Sequence, residues 1–465
     1  MVNKLSVNIS QVIREGRFNP KYYSFLNFSE NLIKKSKYKF VKLGNKEYFP
    51  ILSDGIHTAI ELLPKGEIKY LYIHNLKEGF VDTVDSNYIS EQDNEKNINK
   101  ELKKDAVLLS VVGTLGNTAI FAEYFNSRCS LPRNIAYVYC NNDKIKPEFL
   151  TCFFLSEFSK YQCIYSGGGN IQGLLSLTKL KKFIIPNVDN VIQNKFVEKY
   201  SKATSLQKEF LETINECKAL FYSKLNLKKD VIKKDISFKT TLKELIENKS
   251  WTPISYDPYG EKVLTFISKK FKLEDLKKHI DIFKGEEIGS ANYLDYLSKN
   301  KDSIPFLRTS DIFNYELDSY PDFYCDKSFK TELKQEIKPY DIAFTKDGSI
   351  GNLALVTNED NCILSSGHAI LRMKEMSKLN PYYIFLALSI KEIGQYQANK
   401  RTVIASTIPH LRPQNIYKIR IPILDDESIK LISDKVKYSF GLIEEKKRLI
   451  KAIKKEMNEL MKETK

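Results

Sequence analysis

Asp105-Ala-Val-Leu-Leu-Ser-Val-Val-Gly113-Thr-Leu-Gly116-Asn117 returns later in the chain as Asp341-Ile-Ala-Phe-Thr-Lys-Asp-Gly348-Ser-Ile-Gly351-Asn352, one residue shorter before the first glycine. Each version reads as an apolar strand entering a Gly-Thr/Ser-x-Gly turn, where glycine supplies positive φ at no steric cost. The offset is about 235 residues, and matching blocks flank it on both sides. Upstream, Tyr70-Leu-Tyr-Ile-His74-Asn75-Leu76 parallels Phe306-Leu-Arg308-Thr-Ser-Asp311-Ile312. Downstream, Pro147-Glu-Phe-Leu-Thr-Cys-Phe-Phe-Leu155 parallels Pro381-Tyr-Tyr-Ile-Phe-Leu-Ala-Leu388. Each copy then closes on a short strand ending in proline, Leu180-Lys-Lys-Phe-Ile-Ile-Pro186 and Ile416-Tyr-Lys-Ile-Arg-Ile-Pro422. Blocks that recur in one order at a nearly constant offset mark two copies of a single structural unit.

Within each copy, alternation at residues 70–73 and 342–344 predicts half-buried strands. Pro147 and Pro381 suit the first turn of a helix, where the missing N–H would be unpaired in any case. Beyond the closing prolines the pattern changes. Phe196, Ala203, Phe210 and Cys217 recur every seven residues, with Tyr200, Ile214 and Phe221 three or four positions away. In the second copy Val436, Ile443, Ile450 and Met457 recur every seven, joined by Ile453 and Leu460. A 3.5-residue apolar period over several heptads predicts a coiled-coil seam. A helix docked on its own domain would show the same stripe, but two copies at matching positions favour pairing with each other. Each helix has about 35–40 residues and spans roughly 55 Å. The expected architecture is α+β. Strand-rich domains occupy residues 1–186 and 236–422, and long helices occupy residues 187–235 and 423–465.

The chain has 465 residues, of which 42% are hydrophobic and 28% charged, enough to bury a sizeable core. Lys and Arg (73) exceed Asp and Glu (58) by 15. That excess fits either a solvated lysine-rich surface or a polyanionic partner, because each phosphate neutralised releases a condensed counterion. The seven cysteines (Cys129, Cys140, Cys152, Cys163, Cys217, Cys325, Cys362) form no CxxC pair, and an odd count argues against a complete disulfide framework. With no basic-then-apolar signal at Met1, a reducing cytoplasm is the expected home. Residues 106–122 carry no formal charge, but they hold Gly113, Gly116 and Asn117 mid-stretch, and their repeat copy contains Lys346 and Asp347. Two strands around a turn are expected there, not a membrane span.

The order strand-rich domain, long helix, strand-rich domain, long helix resembles the specificity subunit of type I restriction–modification enzymes. The motifs that carry the resemblance are the glycine-turn segment at residues 341–352, the strand Phe306-Leu-Arg-Thr-Ser-Asp-Ile312, and Ile408-Pro-His-Leu411 ahead of the closing strand. It covers roughly residues 20–465. In the first half, Ile171-Gln-Gly-Leu174 and Val111-Val112 stand where the second has Ile408-Pro-His-Leu411 and Lys346-Asp347. The resemblance implies that each strand-rich domain is a target-recognition domain reading one half of a split DNA site. It implies that the helices form an antiparallel coiled-coil spacer, which sets the half-site gap and docks two adenine-N6 methyltransferase subunits. A restriction and translocase subunit can join, giving phage defence, while the chain itself supplies recognition and needs no cofactor.

Candidate DNA-contacting residues are His57, His74, Arg133 and Asn170 in the first domain, and Arg308, Lys346, Arg401, His410 and Arg412 in the second. Arginine suits bidentate contact with guanine, and histidine or asparagine suits other base edges. Phe196, Phe210, Ile214, Val436, Ile443 and Ile450 are the candidate helix and partner interface. Two patterns point towards enzymes. Pro321-Asp322 followed by Glu332-Leu-Lys334 fits the loose spacing of a Mg-dependent nuclease core, although the first copy has no counterpart. Asn380-Pro-Tyr-Tyr383 is similar to the flipped-base motif of adenine methylases. Its third residue is wrong for that motif and no glycine-rich cofactor loop precedes it, so no catalytic residue or metal ligand is assigned.

Overall fold

The computed structural model describes residues 7–464 except 16–17, 64, 83, 85–86, 123–126, 169–172, 228–231, 233–236, 249–250, 252, 289–302, 327–334 and 405–407. The chain forms two units, Met1–Ser205 with Arg448–Lys465, and Leu206–Lys447.

The first unit holds a four-stranded antiparallel sheet in the order Ile51–Asp54, Ile135–Tyr139, Val107–Ser110, Thr118–Ile120. A three-stranded sheet orders Asn87–Ile89, Ile68–Tyr70 and Arg128–Ser130, its last pair parallel. A hairpin joins Leu76–Lys77 to Phe80–Val81, and Lys39–Lys42 pairs with the closing strand Ile184–Asn187. The second unit repeats these sheets. Its four-stranded sheet runs Ile280–Lys284, His368–Met373, Ile342–Thr345, Leu353–Leu355. Phe323–Asp326, Ser303–Leu307 and Ile363–Leu364 form the three-stranded sheet. Ile312–Phe313 turns into Glu316–Leu317, and Lys272–Asp275 pairs with Arg420–Ile423. The fold is α+β and duplicated.

The reasons are local. Val107 to Ser110 and Ile342 to Thr345 are buried throughout, as continuous apolar runs between two covered faces should be. Both hairpins turn on two residues with positive φ, Glu78 (51°) with Gly79 (92°) and Asn314 (45°) with Tyr315 (65°), the geometry that matches strand twist. The duplication also reaches further upstream than residue 20. Helices Ile9–Glu15 and Leu242–Asn248 precede Phe18-Asn-Pro20 and Trp251-Thr-Pro253 at matching distances.

The register of the defining repeat needs one correction. Asp105 (φ 66°) and Tyr340 (φ 74°) occupy the same place, donating from N–H to Phe121 O (3.0 Å) and Val356 O (2.8 Å). Asp341 therefore corresponds to Ala106, and the strand and turn match without a gap. Asp341 has a different task, accepting from Lys338 N and pairing with Arg372 at 2.7 Å.

Asn190–Lys224 and Asp426–Leu460 are α-helices of 35 residues each. In the first unit Lys199 pairs with Glu456. In the second, Glu216 meets Lys435 at 3.1 Å, Tyr438 donates to Glu209, and Phe210 packs edge-on to Phe440 at 5.3 Å. Low numbers on one helix meet high numbers on the other, so the helices run antiparallel.

The heptad residues are buried, yet they form no simple seam. Phe196 packs on Phe149, Tyr200 stacks on Phe80 and donates to Gly79 O, and Phe221 packs on Tyr383. The stripe is wide because each helix is wedged between its partner helix and the sheet-bearing part of a unit. Both readings of the period hold, helix pairing and docking on the domain. Residues 106–122 make the two strands expected of them. Among the described residues, no helix is long and apolar enough to cross a membrane.

Candidate nucleic-acid interface

The glycine turns are closed by a hydroxyl. Ser110 Oγ accepts from Asn117 N (2.8 Å) and donates to Thr114 O (2.6 Å). Thr345 Oγ1 accepts from Asn352 N (2.8 Å) and donates to Ser349 O. Gly113 and Gly116 (φ 76° and 87°) match Gly348 and Gly351 (70° and 91°).

Three further segments converge on each turn. One is a 3-10 turn locked by a carboxamide or carboxylate. Tyr72 N donates to Asn75 Oδ1 (2.7 Å), and Arg308 N donates to Asp311 Oδ2 (2.8 Å). The second is a sharp bend, where Arg133 N donates to Ile56 O (3.0 Å) and Ser366 N donates to Glu286 O (2.7 Å). Gly55 and Gly285 permit it, since a Cβ would sit 2.1 Å from Leu131 O or 1.9 Å from Ser365 O. The third is an antiparallel bridge, Val112 to Leu174 and Asp347 to His410. Sequence comparison missed Gly55 and Gly285, because the segments around them share only the glycine. It also missed Gln162 and Gln397. Each exchanges two hydrogen bonds with the closing strand, Gln162 with Ile184 and Gln397 with Arg420.

The structure gathers most of the expected contact residues around these clusters. In the first unit His57 is exposed and lies 3.1 Å from Asp54, one residue beyond Ile56. His74 stacks on Tyr72, and its neighbour Ile73 lies against the Gly113 turn. Arg133 is exposed at the sharp bend. Asn170 lies outside the described residues.

In the second unit Lys346 is 8% exposed and pairs with Asp347 at 2.9 Å. His410 Nδ1 meets the other oxygen of that carboxylate. Arg412 is exposed two residues on. Arg308 is only half-buried, but its guanidinium is occupied by Asp322 (3.4 Å) and Asp311 (3.6 Å) and lies over Phe323. Arg401 is not brought to this cluster. It caps its own helix by donating to Gln397 O (2.9 Å), and burial, with Arg420 nearby, holds it below its ordinary range despite the opposing charge of Glu261. His368 lies beneath the turn opposite Thr345, fully buried, and burial pushes its pKa down to about 4. It is neutral at physiological pH and adds no charge to the cluster.

The nuclease pattern is not assembled by what is described. Asp322 pairs with Arg308, while Glu332 and Lys334 lie outside the described residues. Asn380 accepts from Tyr383 N as a helix cap and donates to Ser433, a structural role in place of a base-gripping one. Among the described residues no group of three His, Cys, Asp or Glu could hold a metal ion. The seven cysteines are free, and none is exposed.

Fold and clusters together define a duplicated α+β protein whose two units carry equivalent loop clusters with different side chains. No family model matches the sequence, and no curated protein matches it. Among solved structures, the chain is similar to the type I restriction–modification S subunit from M. genitalium. That match has 13% identity and a TM-score of 0.36, covering 92% of this chain and 96% of that one. It is also similar to the HsdS subunit from Thermoanaerobacter tengcongensis, with 13% identity and a TM-score of 0.29 over 91% and 95% of the two chains.

Proposed function

We propose that this chain is a non-catalytic DNA-recognition subunit, reading a bipartite target and directing adenine-N6 methyltransferase subunits to it. The observation that carries the reading is the duplicated loop cluster, which keeps one backbone hydrogen-bond pattern while its side chains differ between copies. Two reading heads on one framework are what a split target requires. Residues 1–186 and 236–422 are the target-recognition domains, and residues 187–235 and 423–465 are the spacer. The excess of 15 cations supplies non-specific attraction to phosphate, and the cluster side chains supply base discrimination. Two modest contacts in one chain then act as one strong contact through effective concentration. Two methyltransferase subunits, with a restriction subunit where present, are the expected partners in the cytoplasm.

The test is to map N6-methyladenine in cells carrying this chain with its partner methylase. A split motif with a fixed gap that vanishes when the chain is deleted is expected. Methylation that persists unchanged without the chain would overturn the reading.

A further inference from the structure

Three structurally equivalent positions differ in chemistry between the clusters. Ile73, Val112 and Leu174 of the first unit correspond to Thr309, Asp347 and His410 of the second. The match is fixed by backbone, not by letters. Ile73 and Thr309 occupy the same place in the locked 3-10 turns, and each faces its glycine turn: a Cβ at Gly113 would lie 3.9 Å from Ile73 Cδ1, and one at Gly348 would lie 3.9 Å from Thr309 Oγ1. Val112 bridges Leu174 as Asp347 bridges His410. The flanking hydrogen bonds agree, Gly113 N to Gly173 O with Gly348 N to Pro409 O, and Leu175 N to Val111 O with Leu411 N to Lys346 O. Directly opposed residues of an antiparallel bridge project side by side from one face. In the second unit that geometry sets His410 against the Asp347 carboxylate. In the first it sets an aliphatic pair side by side, with Leu174 52% exposed.

We infer that the first unit reads its half-site through apolar contact with the C5-methyl group of a thymine, made by Leu174 and Val112 with Ile73 behind them. The second unit reads its half-site by hydrogen bonding through the Asp347–His410 pair. This rests on the DNA-reading proposal and deepens it. In the major groove the thymine methyl is the one apolar group that projects from a base pair, set among hydrogen-bond donors and acceptors. An aliphatic pair at the position where the sister unit holds a donor–acceptor pair has that methyl as its natural ligand. A chain with a net charge of +15 brings the duplex to it.

The experiment selects preferred duplexes for the full chain from a random-sequence pool, then replaces each thymidine of the recovered sites by deoxyuridine, one at a time. Removing one contacted methyl is expected to weaken binding about fourfold at one position of the first half-site. In the second half-site, deoxyuridine has no such effect. Leu174→Ala and Val112→Ala, both at partly exposed positions, should abolish the thymine-over-uracil preference while leaving discrimination in the second half intact. His410→Ala should do the reverse. Indifference to deoxyuridine throughout, or an unchanged preference in the two first-unit variants, would overturn the inference while leaving DNA reading in place. Recovery of no preferred duplex would overturn the DNA-reading proposal itself.

Discussion

Lys446 is the residue whose replacement tests the structure most severely. Its ammonium and the Glu316 carboxylate are both 0% exposed. Lys446 donates to both Glu316 oxygens (2.6 and 2.7 Å) and to Gln207 Oε1 (2.6 Å), and it lies over the Phe313 ring. Lys447 beside it donates to Leu317 O (3.1 Å) and Asp360 Oδ1 (2.5 Å), tying the helix to the same hairpin. Lys446→Met removes the cation but leaves the carboxylate buried, which costs about 3–5 kcal/mol. An exposed pair such as Lys208 with Glu212 contributes at most about 1 kcal/mol. With a urea slope of roughly 3 kcal/mol/M, the unfolding midpoint of the second unit should fall by about 1 M or more. Lys446→Met combined with Glu316→Leu should recover most of the loss, since an apolar pair of similar volume replaces a buried ion pair at little cost. The pH dependence has a definite sign. Burial already holds the Glu316 carboxyl above its usual range, and losing Lys446 raises it further. A raised carboxyl contributes stability that is complete below its unfolded pKa, near about 4.3, and is lost as pH rises through the folded value. The deficit of the single variant should therefore be small near pH 4 and largest at neutral pH. Urea titrations at both pH values decide it. An unchanged midpoint, a deficit larger in acid, or a double variant no better than the single would refute the buried pair.

Three other outcomes follow from the same structure. Gly285→Ala places a Cβ 1.9 Å from Ser365 O, so it should cost about 2–3 kcal/mol, read as a lowered unfolding midpoint. The purified chain, given S-adenosylmethionine, Mg²⁺ and duplex DNA, should neither transfer methyl groups nor cut, and either product in a radiolabel or gel assay would restore an enzymatic reading. Inserting four residues after Lys208, within Asn190–Lys224, adds about 6 Å of helix and should alter the preferred half-site gap or abolish binding. Undiminished affinity for the original site, measured by titration, would remove the helices as a ruler.

How much of this was legible depended on whether a letter or a backbone constraint carried the information. Gly113, Gly116, Gly348 and Gly351 were readable because both turns fill their positive-φ positions with glycine, the residue that adopts them at no steric cost. The pairing of Asp105 with Asp341 was misleading. What recurs there is a positive-φ residue donating across the hairpin, a place filled by Asp105 and Tyr340, which share no chemistry. The helical stripes were readable from period, but their width was not. Nothing local in the sequence marks Lys446 and Lys447 as buried, because the carboxylates of Glu316 and Asp360 that make their burial possible lie 130 and 87 residues away. Of the contact residues, Arg401 and Arg308 were chosen as arginines near expected loops, suited to bidentate contact with guanine, and neither position nor residue type says which way a guanidinium turns.

The two copies show why side chains could diverge where backbone could not. Buried N–H and C=O groups must be paired, so the hydrogen bonds that close the turns, bends and bridges are largely shared by the two units: Val111 N to Asn134 O matches Lys346 N to Gly367 O, and Leu175 N to Val111 O matches Leu411 N to Lys346 O. Side chains need only fill space together. Gly79 leaves room for the Tyr200 ring, whose nearest atom would lie 3.0 Å from a Cβ at that glycine. The second unit inverts the arrangement, with Tyr315 in the hairpin and the smaller Val436 at the helix position as far from its closing proline as Tyr200 is from its own. In the second unit the large ring sits on the hairpin, where Tyr315 packs edge-on to Phe385 at 5.5 Å. The cluster positions obey neither constraint so tightly. Leu174 and His410 sit at a bridge whose hydrogen bonds are made by their neighbours, and their side chains reach solvent in place of the core. A substitution there changes what the surface offers without unpairing a backbone group or opening a cavity. That freedom on a fixed frame is what lets one fold be copied within a chain and each copy be fitted to a different set of base edges.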